Sequence, residues 1–219
     1  MSLISEFRKA RRYVSEQGIR SCFGAARDYL RYHLKDKWRF VYLSFSFDHP
    51  MQLLEDPSLA VKRTGRENLG QIRRDLFPHL VGEQAYHRAF FDRIGEDGSV
   101  CFVAEFEGRF VHYSWVFTDV SRSPLIKVPF EVSKLRSSDS YIGPIFTVPG
   151  SRGMIYLYVL PTIVDYLRKV GSKRVLVLVS DRNTAAMSFY QKLGFVPIMN
   201  AERKGVVSFV CRRLNSMAG

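Results

Sequence analysis

The chain has 219 residues, 33 of them Lys or Arg against 21 Asp or Glu, for a formal net charge of +12 with 46% hydrophobic content. That length suits one domain with a short appendage, and that apolar content suits a packed core rather than a disordered chain. No run approaches the roughly 18 apolar residues of a membrane-spanning helix, and the start Met-Ser-Leu-Ile-Ser-Glu lacks the basic and apolar regions of a signal peptide.

Cys22, Cys101 and Cys211 match no metal-ligand spacing and form no even disulfide set. Cys101 reads as a small buried apolar residue in a strand. A reducing cytoplasm is the expected compartment. The chain has no internal repeat and no low-complexity stretch.

Residues 1–40 hold ten basic and four acidic side chains, half of the net charge in under a fifth of the chain. The segment reads as two amphipathic helices. Phe7, Ala10 and Val14 share one face of the first; Phe23, Ala26, Leu30 and Leu34 share one face of the second. Such basic helices either pack on the following domain with a solvated outer face or dock on an anionic membrane surface or an acidic partner. A location peripheral to the inner membrane face would follow from the second case. Nucleic acid is disfavoured as a partner, because no nucleic-acid-binding motif accompanies the charge. The expected division is a helical segment at 1–40 and a larger domain at 41–219.

A short strand is predicted at Leu59–Lys62, then helices at Glu67–Phe77 and Glu83–Ile94, the second with Ala85, Phe90 and Ile94 facing inward. Ser99–Phe106 and Arg109–Phe117 read as strands joined by the two-residue turn Glu107-Gly108, a hairpin. Tyr141–Val148 reads as a strand and Pro149–Gly153 as a tight loop. Ile155–Val170 reads as a helix whose apolar positions Ile155, Val159, Ile163, Tyr166 and Val170 recur at spacings of three and four. A loop whose backbone N–H groups open a helix favours phosphate, since the helix dipole adds to those donors.

Lys173–Ser180 is a run of buried-strand character. Asn183 is then a good N-cap, Ala185, Ala186, Met187 and Phe189 tolerate helix, and Gly194 stops it. Tyr190 lies one turn after Ala186 on the same helix face. Phe195-Val196-Pro197-Ile198 opens another strand.

Asn183, Ala186, Tyr190, Lys192, Gly194 and Phe195 together resemble the C-terminal motif of the GNAT acetyltransferase superfamily, whose members move an acyl group from coenzyme A to an amine. Val148, Pro149, Arg152 and Gly153 resemble the family's strand-to-helix loop. The usual loop glycines are missing, since Ile155 and Leu157 stand at their positions; aligned on Arg152-Gly153-Met154-Ile155-Tyr156, the loop is one residue shorter and bulkier. The resemblance covers roughly residues 58–212. It implies an α/β (α+β) GNAT fold: a mixed, mostly antiparallel sheet, splayed at the acyl-CoA strands, with helices on both faces. Tyr42–Phe45, Val111–Trp115 and Tyr141–Thr147 are similar to GNAT proteins from bacterial surface-polysaccharide gene neighbourhoods, which implies an amino sugar or similar amine as acceptor.

The resemblance implies direct transfer from acetyl-CoA with no covalent enzyme intermediate and no metal. It places coenzyme contacts at Phe146, Thr147, Val148, Arg152, Gly153, Met154, Ile155, Asn183 and Tyr190. Backbone groups near Phe146 and Val148 would pair with the pantetheine arm, a backbone N–H there would meet the oxyanion, and Tyr190 would protonate the departing thiolate. Candidates for the base that deprotonates the acceptor are Glu105, His112 and Asp139, or water. His112 has a suitable ordinary pKa. Ser114 and Thr147 could orient the acceptor.

Three functions fit these residues: an acetyl-CoA-dependent N-acetyltransferase acting on a small amine, an N-acyltransferase drawing longer chains from an acidic acyl carrier protein, and a GNAT-fold module that binds without catalysis. The first is the favoured expectation.

Overall fold

The computed structural model describes residues 39–48, 51, 56, 58–95, 98–120, 123, 138–151, 155–204 and 208–213. The predicted basic helices over 1–38 and the loop residues 152–154 lie outside them. Among the described residues no helix is long and apolar enough to cross a membrane.

Among the described residues eight strands form one sheet. In chain order they are β1 (Arg39–Ser46), β2 (Leu59–Thr64), β3 (Ser99–Phe106), β4 (Arg109–Phe117), β5 (Asp139–Thr147), β6 (Arg174–Ser180), β7 (Val196–Lys204) and β8 (Ser208–Arg213). Their spatial order is β2-β3-β4-β5-β6-β1-β7-β8. The β1–β6, β2–β3, β3–β4 and β4–β5 pairs are antiparallel, and β5–β6 is parallel. The site lies in one compact unit, Arg39–Ala201 with Cys211–Gly219.

The β3–β4 hairpin forms as its sequence predicts. Glu107 and Gly108 both take positive φ, 50° and 75°. Two left-handed residues give the turn whose twist matches the flanking strands. A register shift between Ala104 and Glu105 then puts Ala104 opposite His112 and Glu105 opposite Phe110. β1 inserts between β6 and β7, with Phe40 opposite Ser180 and Ser46 opposite Arg174. Arg39 and Phe40, assigned from the sequence to the basic segment, thus open a strand of the sheet. β1 is apolar on both faces: Tyr42 joins one core layer, and Val41, Leu43 and Phe45 join the other.

The stretch 66–94 departs from its prediction. In place of two long helices it holds α1 (Leu69–Asp75), α2 (Arg88–Phe91) and 3₁₀ turns at Arg66–Asn68, Phe77–His79 and Gly82–His87. Pro78 has no N–H to continue an α-helix, and Gly82 sits at φ +57°. The tighter 3₁₀ winding turns Ala85 outward, so His87, Phe91 and Ile94 supply the buried face. These elements cover one side of the sheet, over Tyr42, Tyr113, Trp115, Tyr141 and Phe146.

α3 (Ile155–Lys169) and α4 (Thr184–Lys192) cover the other side, over Leu43, Val116, Ile142 and Val177. α3 buries Val159, Leu160, Ile163, Val164 and Leu167. Val170 falls past the helix end and is 48% exposed, not part of the inner face. Helices therefore cover both faces of a mixed, mostly antiparallel sheet.

The sheet splits at one place. β5 pairs with β6 only from Asp139–Arg174 to Ile142–Val177. Beyond that point β5 stays on β4, ending with Thr147 opposite His112, while β6 runs on beside β1 to Ser180. Gly143 and Pro144 mark the split: Gly143 takes φ +146°, and Pro144 has no N–H for a ladder.

Candidate active site

The C-terminal half of β5 carries a backbone edge that β6 has left. The N–H of Val148 bonds back to the carbonyl of Val111 at 2.9 Å. Alternation along an antiparallel ladder then turns the N–H of Thr147 away from β4, toward the split. Of the predicted strand contacts, Val148 spends its N–H on β4 and Thr147 bonds its hydroxyl to His112. Phe146 points its ring into the first core layer, stacked on Tyr113 with centroids 5.8 Å apart.

His112 braces this end of β5. It has no exposed surface. Its Nδ1 lies 2.7 Å from Thr147 Oγ1 and its Nε2 2.7 Å from Ser114 Oγ. A neutral imidazole has one donor and one acceptor nitrogen, and both are engaged here. Burial disfavours the charged ring and pushes its pKa down to about 3. His112 and Thr147 are thus brought together, with Ser114 as the third member.

α4 begins as its cap predicts. The Asn183 side chain accepts the N–H of Ala186 at 3.0 Å. It ends at Gly194, whose φ of +87° lets the chain reverse so that Phe195 N–H reaches the Tyr190 carbonyl at 3.0 Å. Tyr190 is 5% exposed and packs edge-on against Phe195, with centroids 5.0 Å apart. Its hydroxyl donates to that of Tyr156 at 3.0 Å. Burial raises the pKa of both phenols, so both stay protonated across the ordinary pH range.

The other candidate bases lie apart from this group. Glu105 pairs with Lys62, Oε2 to Nζ 2.5 Å, and the same ammonium lies over the Phe110 ring. Asp139 is buried and held by Arg174, whose Nε donates to Oδ1 at 3.0 Å. Among the described residues no cluster of His, Cys, Asp or Glu could hold a metal ion.

The sequence pattern of the acetyltransferase (GNAT) family matches residues 66–195, more than half of the chain. The chain belongs to the GNAT acetyltransferase family. The family's acyl donor is acetyl-CoA. Two solved structures share the GNAT fold with it. One is a GCN5-related N-acetyltransferase from Sphaerobacter thermophilus, at 13% identity and TM-score 0.54, covering 84% of this chain and 58% of that one. The other is a functionally unknown conserved protein from Staphylococcus epidermidis ATCC 12228, at 11% identity and TM-score 0.52, covering 74% of this chain and 58% of that one. The chain therefore spans less than two thirds of the length of these relatives. No curated protein matches it.

Two further contacts have no role assigned from the sequence. Tyr156, which closes the aligned loop motif but is given no role there, meets both His112 and Tyr190. His87, with no partner pattern in the sequence, places its Nδ1 2.5 Å from the buried Tyr113 hydroxyl. Burial pushes His87 down to about 4.

Proposed function

We propose that this GNAT chain transfers the acetyl group of acetyl-CoA to the primary amine of a small acceptor, by direct attack with both substrates bound. One observation carries the reading. The half of β5 that β6 leaves ends with Thr147 bonded to His112, which packs against Tyr156 and through it meets the Tyr190 hydroxyl. A narrow extended arm fits such an edge, and a polar pair stands at its end. Acetyl-CoA supplies the acyl group and leaves as the thiol.

The chain's own residues divide the work. A backbone N–H at this end of β5 donates to the oxygen that gains charge as the amine attacks. Tyr190 gives its proton to the departing sulfur. An ordinary thiol has a pKa of about 8–9, well below a buried phenol, but the same burial raises the pKa of a thiolate formed beside it. His112 positions Thr147. Its nitrogens are both occupied and its basicity is low, so the amine's proton leaves through water. Residues 152–154 hold the pyrophosphate, as the matching loop motif implies. An amino sugar is the proposed acceptor class, supported by the sequence likeness at Tyr42–Phe45, Val111–Trp115 and Tyr141–Thr147.

Thermal melting with and without millimolar acetyl-CoA tests the donor, and a panel of amines tests the acceptor. A raised melting temperature and turnover of glucosamine at least about tenfold above that of free lysine, a discrimination within reach of a few pocket contacts, are expected. No shift with acetyl-CoA sinks the donor assignment. Equal turnover of every amine sinks the acceptor class.

A further inference from the structure

Tyr156 occupies the second position of α3, directly after the loop at 152–154. Its ring is boxed on three sides: by His112 at 5.5 Å, by Phe189 at 5.6 Å and by Tyr190, edge-on, at 5.9 Å. Packing alone would be served equally by phenylalanine. The hydroxyl adds the contact that phenylalanine could not make, 3.0 Å to the hydroxyl of Tyr190. Each phenol oxygen both donates and accepts, so the pair can run in either direction. The rings fix the two oxygens, and only the hydrogens need turn.

We propose that Tyr156 is a positioning residue for Tyr190, holding its hydroxyl at the leaving sulfur and donating to its oxygen as the proton departs. The inference rests on the transfer reading above. At rest Tyr190 donates to Tyr156. During transfer the amine nitrogen forms its bond to the acyl carbon, and the carbon–sulfur bond breaks with its electron pair on sulfur. Sulfur takes the proton of Tyr190. Tyr156 O–H turns to donate to the phenolate oxygen left behind. The nitrogen releases one proton to water, and water returns one to Tyr190. The balance is amine plus thioester to amide plus thiol, with both tyrosines restored.

The electrostatics agree with the geometry. Burial raises the pKa of Tyr190, and its hydrogen bond with Tyr156 opposes that rise. Without the second hydroxyl, Tyr190 is a weaker acid in a drier place. His112 stands neutral against the Tyr156 ring, so no fixed charge competes for the phenolate.

The test is a double-mutant cycle of Tyr156→Phe and Tyr190→Phe, read by kcat and by KM for acetyl-CoA. Tyr156→Phe is expected to lower kcat about tenfold, the rate equivalent of one hydrogen bond to a charged oxygen, with KM changed less than about twofold. The double variant is expected to match Tyr190→Phe alone, since Tyr156 acts only through Tyr190. A wild-type kcat in Tyr156→Phe overturns the inference, as does a tenfold loss added to that of Tyr190→Phe. Wild-type protein that acetylates no amine removes the transfer reading itself, and the inference with it, which is a separate result. Should Tyr156→Phe melt below the assay temperature, 3-fluorotyrosine at 156 keeps the shape and strengthens the donor. A raised kcat then supports the role, and an unchanged one overturns it.

Discussion

Asp139 and Arg174 stand opposite each other at the closed end of the split in the sheet, and the guanidinium grips the carboxylate where the parallel β5–β6 ladder begins. Asp139 is 1% exposed, whereas the Arg174 side chain is 28% exposed. The pair ties the two strands together three residues before they part at Ile142 and Val177. It is a clamp at the apex of the slot, and this is why Asp139, read from the sequence as a candidate base, has no reach to the open end.

The asymmetric exposure predicts asymmetric mutants. Arg174→Met takes the guanidinium away from a buried carboxylate and should cost about 3–5 kcal/mol. Asp139→Asn leaves a guanidinium that still touches water and keeps an acceptor oxygen, so it should cost about 1–2 kcal/mol. Urea unfolding of both variants gives the comparison. A larger loss in Asp139→Asn would show that the clamp works through something other than the buried charge.

Acid should weaken the fold through His112. Its folded pKa is pushed down to about 3 by burial, against about 6.5 for an unfolded histidine. The unfolded chain therefore binds the proton first. The stabilisation is complete above pH 6.5 and is lost as pH falls toward 3, at up to about 1.4 kcal/mol per pH unit for this one group. His87, pushed down to about 4, adds a second loss of the same sign. In His112→Gln the slope of unfolding free energy between pH 6 and 4.5 should shrink by about one such unit. An unchanged slope would mean that the buried ring is already protonated in the folded protein.

Legibility from sequence followed the range of the signal. The β3–β4 hairpin was readable to the residue, because Glu107-Gly108 is a local turn and alternation continues on both sides. α4 was readable because its cap and its stop, Asn183 and Gly194, are both local. The place of β1 was not. Its pairing with β6 joins residues more than a hundred positions apart, and nothing in Arg39–Ser46 names that partner. The stretch 66–94 misled because apolar spacing is similar in a 3₁₀ turn and an α-helix, while Pro78 and Gly82 decide between them. Tyr190 was marked by its motif as a candidate. Tyr156 stood in the loop motif, but its partner, 34 positions away, is named by nothing local.

Asn183 serves as an N-cap in the structure, with its side-chain oxygen on the Ala186 N–H. Asn183→Ala should cost about 1 kcal/mol of stability, and Asn183→Asp should restore most of it, because the two residues cap about equally well. Chemical denaturation of the two variants measures this. An Asp variant as unstable as the Ala variant would separate the position's importance from capping.

Gly143 is where the slot depends most sharply on one backbone conformation. Its φ of +146° is one that side-chain-bearing residues rarely adopt. A Cβ there would lie 2.6 Å from the Tyr141 hydroxyl oxygen and 2.9 Å from its Cζ. Tyr141 cannot swing aside, since it is buried and stacked on Phe117 with centroids 6.2 Å apart. Gly143→Ala should therefore cost about 1–3 kcal/mol for the backbone alone, with the clash added. Adding Tyr141→Phe removes the nearest atom and should recover part of the loss, giving a coupling of about 0.5 kcal/mol or more between the two sites. Unfolding of the single and double variants measures that coupling. Strict additivity would locate the whole cost in the backbone and reject the steric part. A fully stable Gly143→Ala protein would reject both parts and show that β5 can leave β6 without this glycine.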